Sequence, residues 1–337
     1  MKTIQAINGD IYLNDTEKPK VLKGHVLVET QFSAISPGTE LSMTRASNDT
    51  PLNIGYSASG IVCELGEGVT DFKIGDRVAV YGAPYVGHRA FLSVPQTLAA
   101  KVPDSVKLEQ AAMAGLGAIA IHGLRQGELH FGEVCVVVGL GIYGQLIAQI
   151  AKNAGMVVLG LNRSLPRADL LHTVADIPCF TDEKELHKEI MARTNNKGAD
   201  AVFLCAGGKQ SPLTNQSFTW LRDRGTSVIV GDIEPNYDRE LMFGKELNIR
   251  ISRAGGPGRY DPSYELHAVD YPYGYVRWTE GRNVAEFIRL LAEKRICVDQ
   301  YIGEATSIDE YQQAYDMLNE PAAQYLSHIF SYTKGGI

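Results

Sequence analysis

The five cysteines, Cys63, Cys135, Cys179, Cys205 and Cys297, are odd in number and include no C-x-x-C pair. Neither a disulfide framework nor a structural zinc cluster is suggested by that spacing. Cys135 and Cys205 lie inside apolar strand-like runs, where cysteine behaves as a small hydrophobe. Basic stretches are also missing. With 32 Lys and Arg against 39 Asp and Glu the net charge is −7, and no cationic stripe offers a grip on a phosphate backbone. Nucleic acid is therefore not an expected partner. No apolar run reaches the roughly 18 residues that span a bilayer. The opening MKTIQAINGD lacks the charged-then-apolar layout of a signal peptide. A membrane is not expected as a partner either, and the expected compartment is the cytoplasm. Only 21 % of residues are charged and 45 % are hydrophobic, which places the chain among globular proteins. Its 337 residues suffice for two ordinary domains.

What is present changes texture along the chain. Up to about residue 110, short apolar segments such as 26–29 (VLVE) and 77–81 (RVAVY) are punctuated by Gly, Pro and Asp, the pattern of a turning β-rich domain. From there strands alternate with helices. VCVVV (134–138) is a continuous β-branched run, as expected of a strand buried on both faces. Helical stretches are expected at 142–154 and from about 165, and strands at 156–161, 201–207, 227–232 and 247–253. Such alternation implies a parallel, doubly wound sheet. After a Gly-, Pro- and Tyr-rich stretch at 254–280, helices at 283–295 and 307–319 lead to a returning strand at 327–332. The β-rich domain should thus contain both chain ends, with the parallel sheet inserted between them.

Directly after the buried strand comes Gly139-Leu140-Gly141-Ile142-Tyr143-Gly144. A lone G-x-G-x-x-G is a weak signal, but here it follows a strand, opens a helix and precedes a second strand. Gly139 permits a tight turn, Gly141 lets the backbone approach a pyrophosphate, and Gly144 allows close helix–strand packing. The pyrophosphate would sit on the helix N-terminus, where unpaired N–H groups favour anions. A dinucleotide cofactor is the expectation. At the end of the next strand stand Asn162, Arg163 and Ser164, where an NAD site usually carries an acid for the ribose 2′-OH. Asn162 has no charge to repel a 2′-phosphate and Arg163 has the planar fork to pair with one, so NADP is favoured over NAD.

The whole chain resembles the medium-chain dehydrogenase/reductase superfamily. Within it, SPGTE (36–40), GYSASG (55–60), GHRAFLSVP (87–95), LGAIAIHGLRQ (116–126) and GRYDPSYE…DYPYGYVRWTEGRN (258–283) are similar to the dehydrogenase half of bi-domain oxidoreductases linked to carbohydrate metabolism. Bacteriochlorophyllide dehydrogenases are more distantly similar. The resemblance implies an α/β fold, with a Rossmann doubly wound parallel sheet at 116–264 inserted into a GroES-like catalytic domain formed by 1–115 and 265–337. It also implies a homodimer or homotetramer acting on a small molecule. Zinc-dependent relatives carry a ligand Cys in C-G-[TS]-[DE] and a ligand His in G-H-E. This chain has Pro37-Gly38-Thr39-Glu40 and Gly55-Tyr56-Ser57 there, so no metal is expected.

Without zinc, a side chain must handle the hydroxyl proton. Tyr56, at the vacated ligand position, is the first candidate for general acid/base, set against a packing role. His88 is the second, and Thr39 and Ser57 could relay protons or bind ribose. Arg253, Tyr260, Tyr264, Tyr273, Arg277 and Trp278 combine ring faces with hydroxyl and guanidinium donors, as a polyhydroxylated substrate requires. The alternative for these is a folded aromatic loop or a subunit contact. The reading is a zinc-independent NAD(P)-dependent dehydrogenase of a secondary alcohol or ketone in a sugar, cyclitol or related metabolite. A quinone or enone reductase and a non-catalytic NAD(P)H-binding protein remain open.

Overall fold

The computed structural model describes residues 1–209, 211–319 and 325–332. Two compact units emerge, Met1–Ala118 with Gly255–Ile337, and Ile119–Ala254.

In the second unit six parallel strands form one sheet: β1 (Val134–Val138), β2 (Val157–Leu161), β3 (Cys179–Phe180), β4 (Ala199–Leu204), β5 (Leu221–Ile229) and β6 (Asn248–Ile251). Their order across the sheet is β3-β2-β1-β4-β5-β6. This is the doubly wound order, with the chain reversing direction across the sheet between β1 and β4. All five residues of β1 are buried, which explains why its sequence lacks a polar face. Val136, Val138, Leu159, Val202, Leu204 and Phe218 meet in the core on this sheet. Helices Ile142–Asn153, Leu165–Ala175 and Glu183–Arg193 connect successive strands.

The first unit is the β-rich one. The strand His25–Ala34 pairs antiparallel with Ser57–Leu65, Phe91–Pro95 and Ile329–Ser331. Through the last pairing Ile329–Ser331 joins the sheet of the first unit. Val26, Val28, Val62, Val80 and Leu92 fill the core, each from the inward positions of a strand. A smaller sheet of Asp10–Asp15, Lys2–Ile7 and Leu52–Asn53 covers a separate cluster around Ile4, Ile35 and Phe330. Among the described residues no helix is long and apolar enough to cross a membrane.

The unit boundaries differ from the sequence-based ones. The first falls inside the helix Ala114–Gln126, and the second lies at 254/255 rather than 264/265. The reason for the second is Gly255, whose N–H donates to Tyr81 Oη at 3.0 Å. A Cβ there would stand 2.7 Å from the Tyr81 ring and 2.9 Å from Glu280 Cβ. From Gly255 onward the chain already packs in the first unit.

Candidate functional site

The glycine fingerprint folds as its residues require. Gly139 sits at φ +89°, in the left-handed region, and a Cβ on it would lie 2.7 Å from Ala206 N. A Cβ on Gly144 would lie 2.0 Å from Gly139 O, so close packing of helix on strand depends on its absence. Gly141 is different. A Cβ there would meet only Arg167 Nη1, at 4.0 Å. It is the N-cap of the helix Ile142–Asn153 and brings no side-chain acceptor to the first turn. The helix end therefore presents backbone donors beside open space, an anion-binding arrangement. Leu140 and Ile142 are buried beneath the loop, and Tyr143 is half-buried.

Next to this loop lies a cavity of about 370 Å³ whose lining includes Gly139, Asn162, Arg163, Gly207, Gly208 and Lys209. It opens at the C-terminal ends of β1, β2 and β4, where doubly wound sheets hold their ligands. Asn162 acts on the loop itself: its Oδ1 accepts from Leu140 N at 3.0 Å and its Nδ2 donates to Ser164 O at 3.2 Å. Arg163 is exposed and Ser164 caps the helix Leu165–Ala175 without a side-chain bond. Lys209, Arg167 and the Gly207-Gly208 turn were not singled out from sequence. The signal was there in LCAGGKQ (204–210), a second glycine turn ending a buried strand.

In the first unit the expected catalytic residues separate sharply. Tyr56 is 8 % exposed, and its ring stands edge-on to Tyr81 at 6.1 Å. Gly55, at φ +87°, sets its direction, because a Cβ there would strike the His88 ring at 2.7 Å. Thr39 is exposed on the first turn of the helix Pro37–Arg45.

His88 does not match its expected acid/base role. It is fully buried, with Nε2 2.9 Å from Glu40 Oε2 and Nδ1 2.7 Å from Ser33 Oγ. Glu40 also accepts from Ser36 N at 2.8 Å and from Tyr315 Oη at 2.5 Å. Both imidazole nitrogens are committed to a sealed network that ties the first helix to the sheet. Ser57 is corrected likewise, since its hydroxyl donates to Ala112 O at 2.5 Å and accepts from Gly115 N at 2.8 Å. It pins a helix start, and its only proton is committed to Ala112 O, so it has none to pass on in a relay.

The aromatic segment divides in the same way. Tyr264, expected to line substrate, is 1 % exposed and stacks on Tyr271 at 5.5 Å. Its hydroxyl donates to Thr97 O or to Thr279 Oγ1, and burial pushes the phenol above its ordinary range. It is a core residue. Tyr260 and Tyr273 are more than half exposed. The Arg277 guanidinium lies 3.7 Å from the Trp278 ring and 4.5 Å from that of Tyr273. That stack holds a charged donor fork at a surface of rings. Arg253 is exposed and belongs to the second unit.

The positions that would supply zinc ligands in metal-dependent relatives do not fit the ion here. Pro37 has no side-chain donor, the Ser57 hydroxyl is committed, and Tyr56 is a phenol. Among the described residues no group of three or more His, Cys, Asp or Glu side chains is arranged to hold a metal.

Residues 22–104 match the alcohol dehydrogenase GroES-like domain, and residues 143–268 match the family described as zinc-binding dehydrogenase. The chain is 30 % identical over 278 residues to 2-dehydro-3-deoxy-L-galactonate 5-dehydrogenase of Pseudoalteromonas atlantica, covering 73 % of this chain and 80 % of the relative. It is 28 % identical to D-guloside 3-dehydrogenase of Escherichia coli, over 90 % and 93 % of the two chains. The crystal structure of 2R,3R-butanediol dehydrogenase from Bacillus subtilis superposes with a TM-score of 0.78 at 20 % identity, covering 98 % and 99 %. The chain thus belongs to the medium-chain, alcohol-dehydrogenase-like superfamily. It is an oxidoreductase that works with a pyridine nucleotide.

Proposed function

We propose that the protein transfers hydride between NADP and a secondary alcohol or ketone of a sugar, sugar acid or cyclitol, without a catalytic zinc. The observation that carries the reading is the conjunction of an intact dinucleotide loop with first-unit residues that offer no zinc ligand set. Two relatives named for dehydrogenation of a sugar acid and of a guloside support the substrate class. The exposed Tyr260, Tyr273 and Arg277, with the half-buried Trp278, suit it, because rings cover C–H faces while the guanidinium meets hydroxyl oxygens. Hydride transfer itself is the cofactor's chemistry. Tyr56 is assigned the hydroxyl proton, and Thr39 remains the exposed hydroxyl nearest in sequence to the altered ligand motif. A panel of sugar alcohols, sugar acids and cyclitols, assayed for NADP⁺ reduction, tests the reading. Activity confined to quinones or conjugated enones would replace it.

Arg163 carries the cofactor preference. Asn162, occupied by Leu140 and Ser164, stands where an acid would meet the ribose, and Arg163 and Lys209 supply positive charge to the same cavity, whose lining acid, Glu183, accepts from Gln216 Nε2 at 2.7 Å. Arg163→Ala should cost about 1.5–3 kcal/mol of NADPH affinity, the worth of a hydrogen bond to a charged group. NADH affinity should hardly change. Titration of both nucleotides checks it, and tighter NADH binding by the parent protein would reverse the preference.

A further inference from the structure

Glu280 opens the helix Glu280–Ala292 and is fully buried, with no hydrogen-bond donor on either carboxyl oxygen. Glu265, 7 % exposed at the end of the helix Pro262–Glu265, faces it and accepts from Arg259 Nη1 at 2.5 Å. Tyr81, from the strand Arg77–Tyr81, closes another side across Gly255. Tyr85, Tyr264 and Tyr271 are the other titratable groups in its field. Two carboxyls thus share one guanidinium, and only Glu265 is bonded to it. If both were ionised, an unpaired anion would be sealed away from water, where its lost hydration is not repaid. One proton removes the conflict: a neutral Glu280 donates to Glu265, which keeps Arg259. Burial and then the Glu265 charge push the Glu280 carboxyl up to about 8, against the pull of Arg259.

These three residues come from the beginning, middle and end of the stretch 255–282 that also carries Tyr260, Tyr273, Arg277 and Trp278. Its two ends are further joined where Glu280 N donates to Pro257 O at 2.9 Å and Asn283 Nδ2 to Gly255 O at 2.8 Å. The base of the stretch thus joins its two ends and keeps Glu265 and Glu280 out of water.

We propose that Arg259, Glu265 and Glu280 are positioning residues, a clasp in which one proton shared between two carboxyls fixes the aromatic stretch for substrate binding. This role rests on the substrate-lining reading given above. Loss of the proton sets two carboxylates against each other, loosens the base and weakens substrate binding, with the hydride step left alone. The folded state holds this proton through a range where the unfolded chain, with ordinary carboxylates, has lost it. The associated stability therefore falls as pH rises from the carboxylate range through about 8 and levels off beyond.

Glu280→Gln imitates the neutral carboxyl and separates the clasp from mere packing. Trp278 reports on the stretch by its emission, while the only other tryptophan, Trp220, is buried in the core of the other unit. The parent protein should show an emission change centred near pH 8, with KM climbing by up to about tenfold per pH unit above it and kcat nearly level. Glu280→Gln should flatten both curves, and Glu265→Gln should move the midpoint down by removing the neighbouring charge. An emission change that persists in Glu280→Gln, or is missing from the parent protein, overturns the clasp. An emission change with a pH-independent KM supports the clasp but refutes its connection to substrate, and with it the substrate-lining reading.

Discussion

Tyr56→Phe is expected to lower turnover by about 10²–10⁴-fold while leaving dinucleotide affinity unchanged. The variant keeps the ring, which stands edge-on to Tyr81 at 6.1 Å, and removes only the hydroxyl. Gly55 before it and the Gly82 N–H bonded to its carbonyl at 2.9 Å hold the backbone in either case. A packing role for the tyrosine therefore predicts nearly full activity, and an acid/base role predicts the loss. The comparison is cleaner because the rival groups have been assigned elsewhere. His88 uses both nitrogens in the Glu40 and Ser33 network, and the Ser57 hydroxyl is spent on Ala112 and Gly115. His88→Asn should act mainly on stability, since it removes one of the three donors to the buried Glu40, leaving Ser36 N and Tyr315 Oη, and breaks the link to Ser33. Full turnover in Tyr56→Phe would move the search to Thr39 and the Arg277–Trp278 stack.

Gly141→Val is expected to abolish dinucleotide binding in a protein that folds and melts close to the parent. The contrast among the three fingerprint glycines carries this. A Cβ on Gly141 meets nothing nearer than Arg167 Nη1 at 4.0 Å, whereas one on Gly144 would sit 2.0 Å from Gly139 O. The free space at Gly141 is where a pyrophosphate would approach the helix N-terminus, and a branched side chain would occupy it. Gly144→Val should instead fail through the fold, with a depressed melting temperature before any ligand is added. Retained NADPH affinity in a folded Gly141→Val variant would place the cofactor elsewhere.

Much of this was legible in the sequence because it depends on local pattern. The β-branched VCVVV run, the glycine fingerprint after it and the return through 327–332 each fix an element by composition alone. The helix Glu183–Arg193 was missed. Only Leu186 and Ile190 are buried along it, too few to make an apolar stripe, and its clear mark was the Asp182 N-cap accepting from Lys184 and Glu185. The strand Leu221–Ile229 begins earlier than the expected 227–232, because its first residues, LRDRG, hold a single apolar side chain, and Arg224 adopts φ +61°. Site residues were harder. Whether a Tyr, His or Ser is exposed depends on partners far away in sequence: Glu40 lies 48 residues from His88, and Thr97 lies 167 from Tyr264. Glu280 was hidden for another reason. An acid in the first turn of a helix is ordinarily a solvated favourable charge, and only the fold encloses it with Glu265.

The most direct measurement is polyol- or sugar-dependent NADP⁺ reduction by purified protein, with zinc content determined before and after exhaustive chelation. The account predicts no stoichiometric zinc and an unchanged rate in chelator. One zinc per subunit, lost together with activity on chelation and restored by adding the metal back, would contradict it.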